Sequence, residues 1–295
     1  MTNTVQIGIV YPQTELPTDA GTVRAFVRQA EALGYRHVEI YDHVLGADPA
    51  VHTGWKRPYD VDTTFHEPLV FYGFVAALTT LELVTGIVIA PQRPTALLAK
   101  QAAEVDILSG GRFRLGIGVG WNEVEYQALG QDFTTRGQRQ EEQIALLRRL
   151  WTERSVTHEG RFDTIIGAGL APLPVQRPIP IWMGGYSPVA YRRIGRMADG
   201  WFPRPEPGPV LDEALAMIAE AATGAGRDPA TIGMSGRLNW GAGAGDAIAH
   251  DAERWRGAGA THVSVNTMGA GLSGLDGHLD ALGKAAAALQ LAPSS

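Results

Sequence analysis

Three short stretches carry residue types that could do chemistry. The pair Asp42-His43 closes "HVEIYDH" (37–43) and sets a carboxylate beside an imidazole. Imidazoles as a class titrate near neutral pH, so such a pair suits proton exchange. A histidine satisfied by a backbone carbonyl would look the same in sequence. The stretch Gly184-Gly185-Tyr186-Ser187-Pro188 holds two glycines, a candidate N-cap serine and a proline suited to the first helical position. Bare N–H groups at a helix N-terminus can hold a phosphate. The third stretch, "FRLGIGVGWNEVEY" (113–126), places Gly116, Gly118 and Gly120 at alternate positions before Trp121 and Asn122. It is not a dinucleotide fingerprint. That motif needs G-x-G-x-x-G with a helix starting inside it. Here the third glycine comes one residue early, and the next helical periodicity begins near Thr135. The alternate glycines share one face of a strand and leave room for a flat ring, for a close-packed helix, or for ordinary packing. Trp121 could stack on a ring or lid the core.

These stretches must be positioned by a scaffold, and the rest of the chain says which. Strand-like segments at 5–12, 37–43, 81–91, 113–121, 179–185, 199–204, 232–240 and 262–269 alternate with helix-like ones. Helical spacing is read at 22–33, 68–80, 94–108, 135–152, from Pro188, 210–223, 246–258 and 274–289. Sustained alternation means a parallel sheet, and eight rounds fit a closed (β/α)8 TIM barrel. The expected organisation is one domain over 1–295. A long loop follows strand two, and a short insertion, "RSVTHEGRFDT", read as a hairpin, follows helix four. In this fold active sites collect at the C-terminal ends of the strands. All three stretches end there.

Composition narrows the class. The chain has 295 residues, 45% of them hydrophobic, and a net charge of −6. No basic run suggests a nucleic-acid surface. Cysteine is absent, which removes disulfides and thiolate chemistry. The eight histidines show no metal-ligand spacing, so no metal site is expected. "MTNTVQIGIV" has no signal-peptide pattern, and the apolar run near Leu83–Pro91 is too short to span a bilayer. A cytoplasmic protein without a membrane or nucleic-acid partner is the expectation.

"VEIYDH", "FHEPLVFYGFVAALTTLELVTGIVIAPQRP", "SGGRFRLGIGVGWNEVEYQALGQDFTTRGQRQEEQIALLRRLW" and "PIPIWMGGYSP…RRIGRMADGWFP" together resemble the bacterial luciferase-like family of flavin and deazaflavin (β/α)8 enzymes. The resemblance runs over about residues 5–205 and is greatest to members that use reduced coenzyme F420. It implies an F420-dependent oxidoreductase moving hydride to or from a small organic substrate. The near alternative is an FMN-dependent monooxygenase fed by a separate reductase; the distant one is a non-catalytic flavin-binding protein. Carried over residue by residue, the resemblance makes His43 the candidate general acid/base, with Asp42 beside the ring. It implies a cis peptide at Gly86–Ile87 behind the ring and the cofactor phosphate at Gly184, Gly185, Tyr186 and Ser187. Gly120, Trp121 and Asn122 would form the mouth, with Trp121 assigned to the catalytic group and Gly120 and Asn122 to the cofactor. His66 and Glu67, at the end of the long loop, are candidates to face the substrate. A homodimer is also implied.

Overall fold

The computed structural model describes residues 5–241 and 244–293; Met1–Thr4, Ala242–Gly243 and Ser294–Ser295 lie outside the described residues. The barrel strands are β1 (Gln6–Val10), β2 (His37–Ile40), β3 (Glu82–Thr85) with its continuation β4 (Val88–Ile89), and β5 (Phe113–Gly118). An antiparallel hairpin of β6 (Val156–Glu159) and β7 (Thr164–Ala168) stands apart, as read from the sequence. The barrel resumes with β8 (Ile181–Gly184), β9 (Gly200–Phe202), β10 (Gly233–Asn239) and β11 (His262–Asn266). Every neighbouring pair in the barrel is parallel, and the β3–β5 pairing closes the ring. Eight barrel strands result, because β3 and β4 are one strand interrupted at Gly86–Ile87. The peptide there is cis.

Nine helices accompany the strands among the described residues: α1 (Ala20–Ala32), α2 (Pro68–Val75), α3 (Thr95–Ser109), α4 (Glu123–Ala128), α5 (Arg136–Thr152), α6 (Pro188–Met197), α7 (Pro209–Gly224), α8 (Ala244–Gly257) and α9 (Gly274–Ala288). Two sequence expectations need correction. Helix begins at Glu123, not near Thr135, because Asn122 caps a short α4 through its side chain to Glu125 N–H. The helix expected over 68–80 stops at Val75, before the chain turns into β3. No helix is long and apolar enough to cross a membrane among the described residues.

The barrel interior is unusually polar at its floor. The rings of His37 and Trp182 fill space that Gly8, Gly200 and Gly233 leave by having no Cβ. Arg114 lies over Trp182 at 4.2 Å and pairs with Glu82 at 2.8 Å. The apolar core lies outside this column, between strands and helices, where Ile9, Val38, Leu83, Leu115 and Val263 are fully buried. Strand β5 shows what its glycines are for. A Cβ on Gly116 would strike the Thr85 carbonyl oxygen, one on Gly118 the Ile87 side chain, and one on Gly120 would come within 2.9 Å of Ile89. Gly120 also has φ of +66°, a conformation side chains disfavour. The run makes room for the neighbouring strand β3–β4, not for a helix.

Candidate active site

His43 follows β2 by three residues and stands at the barrel mouth. Its ring meets Phe65 at 4.7 Å, Tyr59 at 5.1 Å and Trp121 at 5.3 Å, all centroid distances. Trp55 adds a further ring 5.9 Å from Trp121. Tyr59, Phe65 and Trp55 all come from the long segment between β2 and α2 that the sequence left without pattern. A cavity of about 220 Å³ lies here, lined by His43, Leu45, Tyr59, Phe65 and Asn122 among others. A larger one of about 290 Å³ lies between α7 and strands β9–β10, lined by residues such as Trp201, Leu215, Ile218 and Met234. Its lining offers no acid, base or nucleophile, so the smaller cavity is the candidate site.

The residue that sequence reasoning missed is Glu125. Its carboxylate faces His43 Nδ1 at 3.6 Å, accepts from Gln92 Nε2 at 2.9 Å and from Leu45 N–H at 3.1 Å, and also takes the Val44 N–H. Burial alone would raise its pKa. The facing His43 and the hydrogen bonds from Gln92 and Val44 outweigh that, and the net shift is downward, which keeps it ionised. The signal was present in sequence. Asn122 followed three residues later by Glu125 is the spacing of a capping box. Here the N-cap side receives Glu125 N–H at 3.3 Å, while the glutamate reaches across to the loop instead of back.

The remaining candidates are placed as follows. Asp42 is buried and its two oxygens are occupied, one by Ile89 N–H at 3.0 Å and one by Arg93 at 2.8 Å. Arg93 also holds Glu67 at 2.8 Å, so Asp42, Arg93 and Glu67 form one ionic cluster that ties the strand ends to the N-cap of α2. Burial raises the Asp42 pKa against the pull of Arg93. His66 packs on Phe71 and Tyr11 at 5.2 and 6.0 Å, and burial lowers its pKa. Asn122 also donates to Leu45 O at 3.2 Å. Ile87 sits between Gly118 and Gly184, whose missing Cβ would lie 3.3 Å from it, so the β3–β4 junction and the turn after β8 are adjacent. In that turn Gly185 allows close packing on Ala190, and Ser187 caps α6. Tyr186 is exposed, with Arg204 4.5 Å from its ring. The backbone N–H groups of Tyr186 and Ser187 find no acceptor among the described residues.

Comparisons with known proteins agree with the family resemblance and the barrel fold. The family described as luciferase-like monooxygenase matches residues 3–285. An uncharacterised protein of Mycobacterium tuberculosis is 34% identical over 227 residues, covering 74% of this chain and 77% of its own. An FMNH2-dependent dimethylsulfone monooxygenase of Pseudomonas putida is 32% identical over 148 residues, 49% of this chain and 40% of that one. Among solved structures, the coenzyme F420-dependent tetrahydromethanopterin reductase of Methanopyrus kandleri superposes with a TM-score of 0.76 at 16% identity, over 96% of this chain and 97% of that one.

Proposed function

The chain belongs to the luciferase-like monooxygenase family, and on that premise we propose that it is an oxidoreductase using reduced coenzyme F420 to move hydride to or from a small organic substrate. The carrying observation is the His43–Glu125 pair facing an aromatic-walled cavity at the barrel mouth. When bound, the deazaflavin supplies or accepts the hydride. The rest falls to the protein. Nδ1 of His43 is turned to Glu125, so Nε2 is the ring nitrogen left to give a proton to the substrate or take one from it. The ionised Glu125 orients the ring. Trp121, Tyr59 and Phe65 wall off water.

Residues for the cofactor fit the same mouth. The unpaired N–H groups of Tyr186 and Ser187, with Arg204 close by, would hold a phosphate. Ile87, projecting between Gly118 and Gly184, would support the ring from behind. Gly86 and Gly120 keep that surface close and flat, and Asn122 keeps the loop over it. Titration of the purified protein with reduced F420 and with reduced FMN, followed by fluorescence quenching, tests the reading. F420 is expected to bind at least about tenfold more tightly, a gap of about 1.4 kcal/mol. Equal or reversed affinities favour the second reading, an FMN-dependent monooxygenase served by a separate reductase, for which the Pseudomonas relative speaks. Oxygen consumption coupled to turnover separates the two. A homodimer is part of the proposal. Val70 and Phe74 on α2 remain exposed, and sedimentation would measure the state.

A further inference from the structure

The inward side of β10 carries a charge that is in no ion pair among the described residues. On this strand Gly236 faces α8, since a Cβ there would strike Trp255. Ser235, Arg237 and Asn239 therefore face the barrel interior. Ser235 is buried, yet Arg237 and Asn239 are exposed, so the interior opens to solvent from Arg237 upward. The more buried Arg93, Arg114 and Arg193 each have a carboxylate partner, in Asp42, Glu82 and Glu141. The Arg237 guanidinium has no carboxylate within 4.0 Å and no hydrogen-bond acceptor among the described residues.

Two phenols share its space. The Arg237 guanidinium lies 5.3 Å from the Tyr41 ring, and the Tyr41 hydroxyl is buried without a partner. Tyr59 lies within its electrostatic reach and is also 5.1 Å from His43. The carboxyl below, Glu39, accepts from Ser264 Oγ at 2.9 Å; burial raises its pKa against the pull of Arg237, which weakens it as a counter-charge. A second cation, Arg57, stands 5.5 Å from Trp121 on the rim. In a chain of net charge −6, two arginines that make no ion pair among the described residues set up this mouth for an anion.

We propose that Arg237, with the hydroxyls of Tyr41 and Tyr59, seats an oxyanion of the substrate, so that the substrate class is a small organic acid whose carboxylate lies on Arg237 while its reacting carbon faces His43. A guanidinium and a phenol offer N–H and O–H donors to carboxylate oxygens, and a charge-assisted bond of this kind is stronger than a neutral one. The aromatic walls formed by Tyr59, Phe65 and Trp121 suit an apolar body attached to that head. The inference deepens the proposed function by naming what the same mouth accepts, and its test needs no cofactor.

Phenylacetate and its neutral isostere phenylacetamide, titrated calorimetrically into the full-length chain, make the test. Phenylacetate is expected to bind at least tenfold more tightly. Arg237→Gln should erase that preference, Arg237→Lys should keep part of it, and Tyr41→Phe should reduce it about threefold. Melting temperature shows that each variant is folded. Equal binding of acid and amide overturns the proposal, as does a preference that survives Arg237→Gln. An Arg237→Gln protein that loses F420 but keeps phenylacetate also overturns it, because the cation would then serve the cofactor. Failure of F420 to bind with the acid preference intact refutes only the cofactor reading.

Discussion

His37 opens β2 and His43 lies three residues beyond its end, and their surroundings have opposite characters. His37 is at the floor, fully buried, with Nε2 2.8 Å from Ser264 Oγ and its ring filling the space left by Gly8. Burial drives its pKa well below the usual imidazole value, and the nearby Arg114 and His262 push it the same way. His43 is at the mouth, 12% exposed, with a carboxylate on one ring nitrogen and a cavity lined by its ring. The floor histidine is thus held neutral, as packing and hydrogen bonding require. The mouth histidine faces a carboxylate and lines a cavity, the setting that its proposed role needs. The comparison teaches that depth along the barrel axis, not residue type, decides what an imidazole meets.

The largest expected break comes at the mouth. His43→Ala should lower the turnover number by about 10²–10⁴, with cofactor affinity far less changed. His43→Gln should be nearly as inactive, because it keeps hydrogen bonding but does not titrate. If His43→Ala instead keeps its activity and loses cofactor, the proton comes from elsewhere. Steady-state kinetics beside the F420 titration decides. Glu125→Gln should fall between wild type and these variants and should move the pH profile, which a purely structural contact would not do.

Next in size is the strand that separates the two levels. Gly118→Val would force a side chain into Ile87, and overpacking of this kind costs about 1–3 kcal/mol. Urea unfolding should show it, with a smaller loss for the same change in the Ile87→Ala background. Additive losses would mean that the two residues do not share space.

The floor should also respond to acid. Burial, and then Arg114, lower the His262 pKa to about 3. Between the usual imidazole value and that figure, the unfolded chain takes up a proton that the folded chain refuses. Stability therefore falls as pH drops through this window, at up to about 1.4 kcal/mol per pH unit for each such histidine. His262→Gln should flatten the slope between pH 6 and pH 4 in urea unfolding, whereas His43→Gln should leave His262's share of that slope in place. The smallest effect is expected at Ser187. Ser187→Asp would place a carboxylate against the phosphate turn and weaken F420 by about 0.3–1 kcal/mol while leaving the apo melting temperature nearly unchanged. An affinity indifferent to the change would put the phosphate elsewhere.

Much of the fold was legible because it is periodic and local. Helix spacing at Val23, Phe26, Val27 and Ala30, the β-branched runs of the strands and the glycine stops are short-range signals, and they mark eight rounds. The end of β2 and the turn before α6 were legible for the same reason. For Glu125 the capping spacing was legible but its partners were not, because Val44, Leu45 and Gln92 lie up to 81 residues away. The short α4 was hidden by its length: six residues give too little periodicity to stand out beside the acidic run around it. Tyr59 and Phe65 were unreadable in a patternless loop, since their place against His43 is set by how that loop folds back. Arg237 was not singled out in the sequence, because its inward side is set by the packing of Gly236 on Trp255.

The interlock of β5 with its neighbour bears on how such a barrel can be altered. Gly116, Gly118 and Gly120 meet Thr85, Ile87 and Ile89 in turn, one tooth to each gap. These six positions behave as one heritable module split between two segments of the gene. A chimera that imports strand β5 from a relative without the matching residues near 85–89 receives half of a zipper. Productive recombination breakpoints should therefore fall before β3 or after Gly120, and libraries that vary these glycines should vary the facing isoleucines in the same clone.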